Sequence, residues 1–272
     1  MNITDAIAQR HSWRTYNGLA LDSDTHARLT EAIGRATDFS RMLFESITDV
    51  EGQPLTVTAP EIRLVSDDSL NGATGTYGFI KGARQFLILA CGATDADRIC
   101  GAAAFERLIL DATAMGLDTC WLGGTFSRKR FDAVARIPEQ MKIVAVSPVG
   151  HRTPSTRFAE RMARAIVGAT RRKPFDRLFT GIDTGTPDSP ELTGILEAVR
   201  LAPSSGNCQP WRADASASNR RVEFYNATSN GFTCLDMGIA LCHFITASDA
   251  AGIRWQTSLT TGEGRVTFIM SR

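Results

Sequence analysis

Short runs dense in Val, Ile and Phe alternate along this chain with longer stretches whose apolar residues recur every three or four positions. Leu108, Ala112 and Met115 form one such series, and Leu235, Ile239, Cys242 and Ile245 another. Residues at that spacing share one face of a helix, so helices are predicted over residues 102–116 and 235–252, each ending in glycine. The β-branched and aromatic runs predict strands over residues 85–91, 141–147, 221–225 and 265–270. A short helix capped near Asn2 or Thr4 opens the chain. Mixed elements in this order predict an α+β fold with an antiparallel-rich core.

The pattern repeats. Asp22-Ser23, the run Leu29 to Ile33 and Ala36 are matched in register by Asp188-Ser189, the run Ile195 to Val199 and Ala202. Each stretch reads as a capped helix, the second with Ser189 as N-cap and Pro190 in the first turn, where its missing N–H costs nothing. Pro203 disfavours helical geometry at Ala202 and should end that helix. Two amphipathic helices can coincide by chance, but both are followed by strand, helix and strand. Duplication with divergence is therefore expected, the second copy being the shorter. The boundary is expected in the Gly- and Thr-bearing connector at residues 180–186, giving lobes at 1–180 and 186–272.

Composition narrows the class. The chain has 272 residues, 43% of them hydrophobic, enough for a sizeable core. A net charge of +1 gives no general pull toward nucleic acid or membrane. The longest apolar run is strand-length. Met1-Asn2-Ile3-Thr4-Asp5 lacks the basic start and apolar stretch of an export signal, so a cytoplasmic location is expected. The six cysteines form no Cys-x-x-Cys and read as reduced thiols. The four histidines have no ligand spacing, so no metal site is expected.

Four segments carry candidate chemistry. Arg10, Ser12 and Arg14 place two guanidiniums and a hydroxyl within five residues, a set suited to a phosphate dianion because arginine donates in a planar fork. His11 between them reads as a packed or hydrogen-bonded spacer. Pro203 and Pro210 bracket a loop in which Ser204, Ser205 and Asn207 offer short polar groups, Gly206 allows close backbone approach, and Trp211 enters the core. Gly123 and Gly124 follow residues 116–122 and read either as a close main-chain approach or as a turn needing positive φ. Between Arg152 and Arg177 lie eight basic residues, Arg171, Arg172 and Lys173 among them, against two acidic ones. That stretch reads either as a solvated face or as a further source of phosphate contacts. It has no interleaved aromatics of the kind a nucleic-acid binder uses, so nucleic acid is not an expected partner.

Arg10-His11-Ser12-Trp13-Arg14 and Pro203-Ser204-Ser205-Gly206-Asn207 together resemble the two half-sites of the nitroreductase family. Residues 116–124, Ile137-Pro138, Pro148 to Arg152 and Arg171 to Phe175 resemble further parts of that pattern. In that family the two half-sites come from different subunits and clamp one flavin mononucleotide (FMN). One copy of each in a single chain resembles the single-chain tandem branch and implies two related lobes that mimic the family homodimer. By the resemblance, Arg10, His11, Ser12 and Arg14 lie at the phosphate, with Arg171 or Arg172 helping. Pro203, Ser204, Ser205 and Asn207 would line the ring and ribityl edge. Gly123 and Gly124 would bring main chain to the flavin, the N–H of Gly124 toward N5. Tyr77-Gly78 would lie over the site.

The resemblance implies an FMN-dependent oxidoreductase passing hydride from NAD(P)H, a transient reductant, to a small electron-poor acceptor such as a nitroaromatic or quinone. No side chain is required as acid or base, since the cofactor carries the chemistry. The chain departs from the family in having one half-site of each kind, which implies one flavin and a monomer. A flavin-binding sensor or scaffold without catalysis, and a reductase of enones or halogenated aromatics, are the other readings.

Overall fold

The computed structural model describes residues 1–153, 171–216 and 218–272. Arg157, Arg161 and Arg164 of the basic stretch therefore lie outside the described residues.

The described helices are α1 (Ile3–Gln9), α2 (Ser23–Glu45), α3 (Gly72–Thr76), α4 (Asp95–Ala114), α5 (Arg128–Ala135), α6 (Ser189–Arg200) and α7 (Thr233–Ala250). The strands are β1 (Ile47–Thr48), β2 (Glu61–Ser66), β3 (Gln85–Cys91), β4 (Asp118–Thr119), β5 (Lys142–Gly150), β6 (Phe179–Thr180), β7 (Trp211–Ala215), β8 (Arg221–Asn226), β9 (Gln256–Gly262) and β10 (Arg265–Ser271). They form a four-stranded antiparallel sheet, β2-β3-β5-β4, and a six-stranded sheet, β1-β9-β10-β8-β7-β6. The β7, β8, β10 and β9 neighbours are antiparallel, while β1 and β6 add at the two edges in parallel.

The central layer is α4 against α7, with α2 packed on α4 and α6 on α7. Both central helices are apolar on nearly every side, which is the pattern of a buried helix and not of a surface one. They approach closely because small residues meet. A Cβ on Gly238 would sit 2.4 Å from the Ile99 carbonyl oxygen and 2.8 Å from Ala102 Cβ. The main core joins residues of α4, α6 and α7 to the inner face of the six-stranded sheet, with Trp211 fully buried in it.

Several expected boundaries shift for local reasons. The first central helix begins at Asp95, not near 102, because Thr94 and Asp97 form a capping box. The first of the two matched helices does not stop near Ala36, and residues 37–40 continue it. They lie inside α2, which runs 23 residues because no proline stops it. In the second repeat Pro203 follows and α6 ends at Arg200. The N-cap of α6 is Asp188, not Ser189, and its carboxylate makes no cap bond. It pairs instead with Arg220 at 3.1 Å and Arg272 at 3.3 Å.

The connector at 180–186 is fastened down. The buried Asn219 accepts from the Asp183 N–H and donates to the Asp183 carbonyl and to Thr186 Oγ1. Gly181, at φ +74°, passes so close to the Ala215 carbonyl that a Cβ would lie 2.2 Å from its oxygen. The six-stranded sheet also takes β1 from the N-terminal stretch, so chain order and sheet membership do not divide at one point.

Candidate functional site

The segment after α1 leaves the helix at Arg10, which is extended (φ −61°, ψ 122°). It then runs beside β4: Ser12 bridges Thr119, and the Trp13 N–H donates to the Thr119 carbonyl at 2.9 Å. This pairing carries residues 10–14 alongside the turn that follows β4. That turn is itself fixed by reciprocal main-chain bonds between Leu122 and Val146. Arg10, His11, Ser12 and Arg14 thereby face the same cavity as Trp121 to Thr125.

The opposite wall is the loop after α6. Residues 205–207 form a single tight turn in which Gly206 (φ 56°) and Asn207 (φ 55°) both take left-handed geometry. Residues 171–173 are laced along its back. Arg172 donates to Asn207 Oδ1 and to the Leu201 carbonyl, each at 3.0 Å. Asn207 Nδ2 donates to the Arg171 carbonyl at 2.8 Å, and the Lys173 N–H donates to Gln209 Oε1 at 2.7 Å. Inside the loop the Gln209 N–H donates to Ser204 Oγ, and the Ser205 N–H donates to Asp236 Oδ1 at 2.8 Å.

Between the walls is a cavity of about 420 Å³, inside the range of small-molecule and cofactor sites. Arg10, Arg14 and Arg172 converge on it, with hydroxyls from Ser12, Ser204 and Ser205 and apolar surface from Pro203, Phe232 and Ile239. Burial, then the charges of Arg10 and Arg200, push Arg172 down to about 10. Burial likewise pushes the Asp236 carboxyl up to about 7, and the Ser205 N–H only partly offsets it. The described lining is thus rich in cations, and the carboxyl of Asp236 within it resists ionising.

Behind the cavity lies a buried polar cluster. Glu106 on α4 and His243 on α7 are both fully buried, with His243 Nε2 2.9 Å from Glu106 Oε1. His243 Nδ1 is 2.9 Å from the Ala198 carbonyl, which can only accept, so that nitrogen bears a hydrogen. The contact on the other ring nitrogen then needs a proton of its own, on either the imidazole or the carboxyl. Glu106 Oε2 accepts from Trp121 Nε1 at 2.6 Å, and Arg10 Nε lies 3.8 Å from Glu106 Oε1. One carboxyl therefore holds two cavity residues, Arg10 and Trp121, and ties the two central helices together.

Arg10, His11, Ser12, Arg14, Gly123, Gly124, Arg172, Pro203, Ser204, Ser205 and Asn207, all expected in one site, do line one cavity. Arg171 does not: its side chain is exposed and its carbonyl secures Asn207. Tyr77 is also exposed and away from the cavity. His11 bonds the Gln9 carbonyl at 2.7 Å, as a hydrogen-bonded spacer would. The glycines at 123 and 124 have no positive φ. Gly123 is required by close approach, since a Cβ there would meet the Phe232 ring at 2.6 Å. Asp236, Phe232, Glu106 and His243 were not singled out in the sequence. Their signal would have been polar or aromatic residues within or just before helices buried on all sides.

Among the described residues no group of three or more His, Cys, Asp or Glu could hold a metal ion. None of the six cysteines is in a disulfide. No described helix is long and apolar enough to cross a membrane.

The fold is a nitroreductase fold: over 100% of this chain and 94% of the other it superposes on a "putative nitroreductase" from Thermotoga maritima MSB8, with a TM-score of 0.58 at 18% identity. A family model described as "Putative TM nitroreductase" matches residues 2–248, and the chain belongs to that family. A nitroreductase family protein from Clostridium novyi NT is 20% identical over 58% of this chain and 88% of its own, with a TM-score of 0.42. An FMN-dependent nitroreductase from Clostridium difficile R20291 is 16% identical over 55% of this chain and 87% of its own, with a TM-score of 0.40. No curated protein matches the sequence. The family assigns the chain, at the coarse level, to the oxidoreductases.

Proposed function

We propose that the cavity binds one FMN and that the protein is an FMN-dependent oxidoreductase, using NAD(P)H to reduce a small electron-poor acceptor. The observation that carries this reading is the convergence of three guanidiniums on one cavity, Arg10 and Arg14 from one wall and Arg172 from the other. Arg172 is held there although burial and the neighbouring Arg10 both disfavour its charge. Cations crowded in this way are relieved by an anion, and a phosphate dianion accepts the forked donors that arginine offers. The rest of the cavity suits the rest of the molecule. Serine hydroxyls can meet a ribityl chain, Pro203, Phe232 and Ile239 can cover a flat apolar ring, and Gly123 and Gly124 offer main chain in place of side chains.

Bound FMN supplies the hydride chemistry. Arg10, Arg14 and Arg172 hold the phosphate end. Glu106, itself held by His243, keeps Arg10 in place and sets the Trp121 ring. The loop at 203–207 closes the opposite edge and is kept rigid by the bonds from residues 171–173. The main-chain N–H of Gly124 is the donor that would steady charge on the ring, an electrostatic role for a preorganised dipole.

In the same reading the two lobes mimic a homodimer folded into one chain. The α2-to-β5 and α6-to-β10 stretches each supply a flanking helix, a sheet and a central helix. The test is direct. Purified protein should be yellow, flavin released by denaturation should approach one per chain, and the colour should bleach on addition of NADH or NADPH. A colourless protein that takes up no FMN would sink the assignment. A ratio near two would mean a second site.

A further inference from the structure

On the wall of this cavity stands a carboxyl that the proposed function leaves unused. Asp236, in the first turn of α7, is 2% exposed. Its Oδ1 accepts from the Ser205 N–H, and its Oδ2 is buried without a hydrogen-bond partner. A buried carboxylate oxygen with no donor is costly. The cost is relieved by a cation or by a proton. The ionisable groups on the surrounding elements are Arg10, His11 and Arg14 on the N-terminal segment, Arg172 behind the loop, Asp95, Arg98 and Glu106 on α4, and His243 on α7. None of them makes a hydrogen bond or ion pair with the Asp236 carboxyl, which burial pushes up and the Ser205 N–H pulls down. The relief therefore falls to a proton.

We infer that Asp236 belongs to the binding site as a neutral carboxylic acid, which takes up a proton as FMN enters and donates it as a hydrogen bond to an acceptor atom of the flavin. This rests on the flavin reading above. A neutral carboxyl has one O–H to give, and the rim of a flavin ring carries carbonyl and imine acceptors. Ligand also displaces water from the wall, which disfavours the ionised form further. The proton comes from solvent, so binding and proton uptake are linked. The same residue reaches the 203–207 loop through Ser205 and links that loop to α7.

The test is the dissociation constant of FMN with the flavin-free protein from pH 6 to 9, for wild type and Asp236→Asn. The amide keeps an acceptor for Ser205 and a permanent donor toward the cavity. The free carboxyl titrates at about 7. Wild-type affinity should therefore fall above that pH by up to tenfold per unit relative to the variant. The flavin phosphate titrates in both proteins and cancels in the comparison. Parallel profiles would overturn the role of Asp236 and leave the flavin reading standing. No FMN binding by either protein at any pH would overturn the flavin reading, and this inference with it. Asp236→Ser, smaller and uncharged, serves the same comparison should the amide disturb the Ser205 turn, and circular dichroism establishes that each variant is folded.

Discussion

Arg14 faces the cavity from a segment whose main chain is already secured: its carbonyl accepts from the Lys81 N–H, and Trp13 beside it is bonded to Thr119. Arg14→Ala should therefore leave the fold intact and weaken FMN binding. A lost charge-assisted contact costs on the order of 1.5–3 kcal/mol, or about tenfold or more in affinity. Unchanged affinity in a folded variant would remove Arg14 from the site. Asp236 makes a second prediction, on stability. Its carboxyl is raised from 3.8 to about 7 by burial. Such a group contributes stability fully below its unfolded value, and that contribution is lost as pH rises toward the folded value. Flavin-free Asp236→Asn should thus match wild type in denaturant near pH 4 and exceed it at pH 8, by a margin on the order of a few kcal/mol. A constant difference across that range would show that Asp236 does not titrate in the fold. At this scale the sequence was informative where residues cluster. Arg10, Ser12 and Arg14 are near neighbours, and so are Ser204, Ser205 and Asn207, so each group can be read as a unit. Asp236 and His243 are single letters in α7. An amphipathic reading of the 235, 239, 242 and 245 stripe leaves the other sides to solvent, and nothing local reveals that a second helix and a sheet cover them.

The pairing of α4 with α7 sets the distance between the cavity walls, because Glu106 and Asp236 ride on different helices. Gly238 permits the crossing. In Gly238→Ala the new Cβ would lie 2.4 Å from a main-chain oxygen of α4, which cannot swing aside as a side chain can. Overpacking of this kind costs about 1–3 kcal/mol, and the variant should melt several degrees below wild type. An unchanged melting temperature would mean that the helices separate freely at that point. Removing the charged partner is the harsher change. Glu106→Ala would strand Arg10, His243 and the Trp121 N–H in a buried pocket and should cost about 3–5 kcal/mol, read as a shift of the denaturation midpoint. At this scale strands were more legible than helices. The expectation for residues 85–91 coincides with β3, whose residues are all buried and, after Gln85, make one apolar run from Phe86 to Cys91. The start of α4 was missed because Thr94 and Asp97, which cap it, stand well before its apolar series begins. The end of α2 was missed because nothing in residues 37–40 breaks a helix.

At the scale of the whole chain, both walls of the cavity come from one polypeptide. Residues 10–14 and 121–125 form one side, and Arg172, the 203–207 loop and the start of α7 form the other. The two stretches that read alike, residues 22–36 and 188–202, do both begin helices, α2 and α6, because each carries an Asp-Ser start ahead of a helical apolar series. Sheet membership was harder to read, since no local pattern announces that β1 and β6 add to the edges of a sheet otherwise built from residues 211–271. A second wall tethered in the same chain is present at high effective concentration, so no partner subunit is needed to complete the cavity. The full chain should therefore be a monomer, with a light-scattering mass near 29.5 kDa. The segment from Met1 to Phe179 should fail to hold FMN. It would lack Ser204, Ser205 and Asp236, and the face of α4 that packs on α7 would become exposed apolar surface. A stable dimer whose 203–207 loop reaches the cavity of the other chain would overturn the single-chain argument, and mixing Arg14→Ala with Asp236→Ala protein would reveal it. Two chains that exchange walls would regain one intact site, whereas two self-contained chains would not.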